Sequence, residues 1–159
     1  MAKKGQMKIS FGMIFSIILI IMFISSAIWG IKAFIGVKDK LLLTDFKEDL
    51  QADVNGLWKA TSSGNVNREY ILPTSVKEIC FVDTDSKIDD SDKYFELHLV
   101  SNEHNIAFYP ADFGVQNSFD LLHFDLENLK ENPYCVQNTE GKVRVSLIKE
   151  KGETLVKVE

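Results

Sequence analysis

Cysteine, proline and glycine are all scarce in this chain of 159 residues. Two cysteines cannot staple a disulfide-dense scaffold. Three prolines and nine glycines exclude collagen-like and proline-rich architectures. No P-loop, dinucleotide glycine fingerprint, GxSxG or SxxK pattern is present, and the three histidines form no pair at metal-ligand spacing. The sequence therefore names no catalytic residue, no cofactor site and no metal site, and the expectation is a protein that is not an enzyme. There is no internal repeat. Hydrophobic residues at 45% and charged residues at 26% exclude disorder for the chain as a whole.

Charge is also missing, locally. Phe11–Ile31 contains no charged residue in 21 positions, and its polar side chains are Ser16, Ser25 and Ser26. At about 1.5 Å per residue a helix of this length spans roughly 30 Å, the thickness of a bilayer hydrocarbon core. A helix in a soluble core would carry a polar stripe, and this one has none. Trp29 and Lys32 stand where an amphipathic ring and a long basic stem suit the interface. Residues 11–35 are thus read as a transmembrane helix with the lipid bilayer as its partner. A cleavable secretory signal is the competing reading, because Ser25-Ser26-Ala27 offers small residues for a cut after Ala27. The apolar run continues through Ile28, Trp29 and Ile31, which favours an anchor.

Basic charge is concentrated at one end. Residues 1–40 hold six lysines against Asp39, while residues 41–159 hold 12 basic and 22 acidic side chains. A body with a net charge of −10 offers no basic face for phosphates, so nucleic acid is excluded as a partner. Lysines flank the span on both sides and orient it weakly. The short basic tail, residues 1–10, is placed in the cytoplasm, and the large acidic body, which translocates largely regardless of charge, is placed outside the cell membrane.

Beyond Gly36, Leu43, Phe46, Leu50, Val54 and Leu57 recur at helical spacing. Residues 36–61 are read as an amphipathic connecting helix, from about Val37 to Trp58, ended by Ser62-Ser63-Gly64-Asn65. Its stripe serves either a short coiled-coil seam or, on the reading preferred here, the sheet that follows. From Arg68 the period changes to two. Strands are expected at Tyr70–Leu72, Val76–Val82, Tyr94–Val100, Asn105–Tyr109, Leu121–Leu126, Tyr134–Val136 and Lys142–Ile148, with a terminal hairpin closed by Thr154–Val158. Val76–Val82 is apolar on both faces, as a covered central strand requires. Residues 66–159 are therefore a β-rich domain, and the fold class is α+β: transmembrane helix, amphipathic helix, mainly antiparallel sheet head.

Cys80 and Cys135 pair in a disulfide or remain two buried thiols, and the sequence leaves both open. Neither sits in a CxxC or a zinc spacing. The acidic run Asp83, Asp85, Asp89, Asp90 and Asp92 fails the calcium-loop pattern, because Lys87 and Ile88 fill the places of a ligand and a glycine. The aromatics of Phe108–Phe119 are expected to cover the core more than to form a binding surface. Ser26 and Gly30 make a small-xxx-small pair through which two spans could approach, giving a homo- or hetero-oligomer through the N-terminal helix.

Lys3-Lys4-Gly5-Gln6, directly before the apolar helix, resembles the processing site of archaeal type IV pilin-like proteins. The resemblance implies cleavage by a prepilin peptidase between Gly5 and Gln6, and a helix that packs in a filament core or stays in the membrane. It extends to the layout of apolar helix, amphipathic helix and β-rich head. The glutamate that many pilins carry five residues after the cut is replaced by Ser10, and Lys8 stands nearby. An uncleaved signal anchor is the other reading of the same four residues. The phrases KGQMKISFGMIFSIILI, ICF and NPYC also resemble uncharacterised single-pass archaeal proteins, which implies no activity. The expectation is a membrane-anchored, extracytoplasmic structural or surface subunit, or alternatively an anchored binding or accessory subunit of an envelope complex.

Overall fold

The computed structural model describes residues 11–86, 104–110 and 118–159. One helix, α1 (Phe11–Lys59), is followed by β1 (Gly64–Ile71), β2 (Glu78–Phe81), β3 (Ile106–Tyr109), β4 (Ser118–Phe119), β5 (Tyr134–Gln137), β6 (Lys142–Lys149) and β7 (Lys157–Val158). This is the α+β arrangement of an apolar N-terminal helix and an antiparallel sheet head. The chain divides after Lys38 into two compact units.

In the first unit every described side chain from Phe11 to Lys38 is exposed. The two expected helical segments are one, because Gly36 does not interrupt the hydrogen-bonded ladder. A glycine inside a helix costs roughly 1 kcal/mol relative to alanine, too little to break a helix this long.

In the second unit the helical stripe points inward. Phe46, Leu50, Val54 and Leu57 are buried, and Leu43 packs beside them half-buried. The stripe lies on sheets, as preferred above. The Phe46 ring meets Tyr70 edge-on at 5.4 Å, Phe108 at 5.9 Å and Phe119 at 6.3 Å. One side chain thus joins the helix to both sheets. Trp58 lies off the stripe, 39% exposed.

Strands β1, β6 and β7 form one sheet, in that order, and β4, β3, β2 and β5 form the other. All named pairs are antiparallel. In β6, Val143, Val145, Leu147 and Lys149 alternate inward, the period of two expected of a strand covered on one face. In β2, Ile79 and Phe81 enter the main core, while Cys80, and Val82 just past the strand, join Ala107 in a smaller cluster. Both faces of β2 are therefore covered, as its sequence demanded. The β5–β6 link turns through Glu140 (φ 55°) and Gly141 (φ 85°), the paired positive φ values of a tight hairpin turn.

Two strand expectations change, and one strand is added. β1 begins at Gly64, six residues before Tyr70, because pairing with β6 carries Asn65, Asn67 and Arg68 into the ladder despite their weak strand preference. Leu121–Leu126 is not a strand. Leu121 and Phe124 both enter the core, a spacing of three that a strand cannot deliver to one face, and His123 at φ 63° makes the turn between them. At the end of the aromatic segment Phe108–Phe119, Ser118–Phe119 pairs with β3 as β4, a strand that the sequence did not signal. The strand expected at Tyr94–Val100 lies outside the described residues.

Candidate functional site

Among the described residues, the longest feature with no partner in the fold is the apolar part of α1. It is one helix long and apolar enough to cross a membrane, and its apolar window buries nothing in the protein. Beyond its first turn its backbone N–H groups are satisfied within the helix, which is what a hydrocarbon environment requires. The serines are satisfied there too. Ser16 Oγ donates to Gly12 O at 2.9 Å and Ser26 Oγ to Phe23 O at 2.9 Å. The Ser26 hydroxyl is thus engaged within its own helix, and Gly30 faces open space. The pair forms a shallow place on the helix surface with no dangling polar group. Gly5 and Gln6 lie outside the described residues.

Where α1 enters the head, a charged network fastens it to β1. Arg68 donates to Asp49 at 2.8 Å and to Asp53 at 3.0 Å, and the Tyr70 hydroxyl donates to Asp53 at 2.7 Å. Burial, and then the hydrogen bond to Asp53, raise the Tyr70 phenol well above the usual tyrosine range. A cavity of about 230 Å³ opens beside this network, lined among others by Leu42, Phe46, Arg68 and Ile71. Asp49 and Asp53 face Arg68, and Asp53 also accepts from Tyr70, so these groups hold the helix against β1. On the outer face of the same sheet, Glu69 accepts from Lys142 and Arg144, which lowers its pKa.

The far end of α1 is closed by a lysine. Lys149, 9% exposed, donates to Trp58 O at 2.7 Å and Ala60 O at 2.8 Å. An ammonium there satisfies terminal carbonyls and opposes the negative end of the helix dipole. Opposite it in the β1–β6 register, Gly64 lets the strand approach the helix, since a Cβ there would lie 3.1 Å from Leu57 Cδ2.

Cys80 and Cys135 oppose each other on β2 and β5 and form a disulfide, with Cα atoms 4.1 Å apart. Cys80 is fully buried and Cys135 half-buried. The Glu78 carboxylate lies with both sulfurs inside 4.8 Å. Among the acidic run, the buried Asp83 accepts the Asp85 N–H, and its own backbone exchanges two hydrogen bonds with the Asn132 amide. Asp89, Asp90 and Asp92 lie outside the described residues, as does His98. His104 meets Asp120 at 3.1 Å, and His123 stacks on Trp58 at 3.8 Å with Nδ1 on Asn55 at 3.2 Å. These two histidines serve separate local contacts. Phe108 and Phe119 are buried in the main core, and 111–117 between them lie outside the described residues.

Sequence reasoning missed the Arg68–Asp49–Asp53–Tyr70 network, the Lys149 cap and the position of Glu78 beside the sulfurs. Each depends on pairing across the fold. The one available signal was period two: Lys149 continues the inward phase of Val143, Val145 and Leu147. Comparison with family models, with characterised proteins and with solved structures returns no match.

Proposed function

We propose that the protein is a single-pass membrane-anchored subunit, pilin-like in layout, that holds an α+β head outside the cytoplasm. One observation carries the reading. Within a single helix, the residues from Phe11 to Lys38 bury no side chain, whereas Phe46, Leu50, Val54 and Leu57 supply the head's core. An apolar surface of that length left in water would aggregate, and a bilayer is the solvent it fits. The head contributes structure and surface, held together by the Phe46 contacts, the Arg68 network and the disulfide.

Gly5-Gln6 before the span supports processing and assembly through the N-terminal helix. The test is the mass of the native chain isolated from membranes. A chain that begins at Gln6 supports the pilin-like reading. A chain that begins at Met1 or Ala2 removes that part and leaves the anchor. A chain that begins after Ala27 removes the anchor as well.

A further inference from the structure

We propose that Glu78, Cys80 and Cys135 are a latent site for a thiophilic divalent cation, zinc by its ligand chemistry, opened when a dithiol reduces the Cys80–Cys135 disulfide. The inference is independent of the membrane reading, because all three residues belong to the β2–β5 pair of the head.

The sheet itself places the ligands. Cys80 and Cys135 are direct cross-strand partners, 4.1 Å apart at Cα, so backbone pairing keeps both side chains on one face whether or not their sulfurs are bonded. Glu78 precedes Cys80 by two residues on β2, which puts it on the same face. The carboxylate and both sulfurs lie within 4.8 Å of one another. Zinc binds thiolate sulfur at about 2.3 Å and carboxylate oxygen at about 2.0–2.2 Å, so tetrahedral ligand atoms stand roughly 3.5–4 Å apart. Once the bond is broken, side-chain rotation lets the sulfurs part and the carboxylate approach on strands that stay paired. Three protein ligands leave a fourth position for water, the pattern of an open zinc site.

The surroundings give a cation a reason to bind. This face is lined by buried Val82 and Ala107 and by half-buried Tyr109. Two thiolates and a carboxylate confined there repel one another in a medium that solvates charge poorly. A thiophilic cation offsets that repulsion and takes each sulfur as the thiolate. In the reduction, the dithiol is oxidised to its own disulfide. Its two electrons and two protons break the S–S bond and leave two protein thiols. Zinc then binds both sulfurs and Glu78, and the two thiol protons pass to solvent. A disulfide with a purely structural role predicts two inert thiols after the same treatment.

The experiment uses full-length protein in detergent micelles. It is reduced with dithiothreitol, freed of reductant by gel filtration under argon, and titrated with cobalt(II). The expected result is one equivalent bound, a sulfur-to-cobalt charge-transfer absorption, and its displacement by one equivalent of zinc. Oxidised protein shows no such band. Cys135→Ser loses it. Glu78→Gln keeps both thiols and weakens binding at least tenfold. Reduced protein that keeps its circular dichroism but gives no band overturns the proposal, as does reduced protein that loses its fold. Glu78→Gln that binds as tightly as the wild type also overturns it.

Discussion

Lys149→Met removes an ammonium from the end of α1 and keeps most of its apolar stem. The ammonium makes two hydrogen bonds, to Trp58 O and Ala60 O. A buried acceptor left without a donor costs about 1–3 kcal/mol. Two such acceptors set an upper limit of about 6 kcal/mol. Two effects reduce it. The last turn of a helix adjusts readily, so freed carbonyls find water or an i to i+3 bond in place of part of the loss. Methionine also avoids the cost of holding a charge at a position only 9% exposed, which offsets some of the pairing energy. The favourable charge–dipole interaction, about 0.3–1 kcal/mol and up to ~2 when partly buried, is lost as well. The expected net loss is about 2 kcal/mol. With a urea slope of about 1–3 kcal/mol per M, the midpoint falls by roughly 1 M. Urea unfolding of the full-length chain in detergent, followed by tryptophan fluorescence, reads this directly, because Trp58 sits at the cap. Lys151→Met, at an exposed turn position, is the control and leaves the midpoint unchanged. A Lys149→Met midpoint equal to that of the control refutes the reasoning.

Phe46→Ala removes the ring that touches Tyr70, Phe108 and Phe119, and should cost about 3–5 kcal/mol in the same assay; a loss under 1 kcal/mol would mean that helix and sheets do not share one core. Replacing Cys80 and Cys135 together by alanine opens a loop of 55 residues, worth roughly 4 kcal/mol in the chain-entropy treatment, and an unchanged melting temperature would contradict that contribution. Tyr70 gives a pH signature. Its phenol is raised in the folded state, so the associated stability is complete below the unfolded value of 10.0 and is lost as pH climbs above it. The difference in unfolding free energy between wild type and Tyr70→Phe should therefore shrink above about pH 10, and a difference that is flat with pH would remove Tyr70 as its source. Arg68→Met breaks the bridge to Asp49 and Asp53, both partly in water, so the urea midpoint should fall only slightly; a fall as large as that of Lys149→Met would show that the network is insulated from solvent.

Much of this fold was legible because its signals are periodic. The uncharged run from Phe11 and the stripe from Leu43 to Leu57 are local patterns, and the helix follows them directly. Lys142–Ile148 alternates cleanly because one face of β6 is buried. The two-sided apolarity of Val76–Val82 anticipated a strand whose faces enter different clusters. Leu121–Leu126 misled because LLHFDL resembles a strand in composition, while its core-facing residues are three apart around a left-handed His123. The long β1 was hidden because Asn65, Asn67 and Arg68 are held there by β6, not by their own preference. The candidate sites followed the same rule. Cys80 and Cys135 stood out by rarity alone, but 55 residues of separation conceal a register, and with it the neighbour Glu78. Lys149 continues the inward phase of β6, but only the fold brings the end of α1 to it.

The central claim is that the apolar half of α1 resides in a bilayer. Alkaline carbonate extraction of membranes that contain the full-length chain tests it most directly. The account predicts that the chain stays with the sedimented lipid and is released only by detergent. A full-length chain recovered in the aqueous supernatant would contradict it.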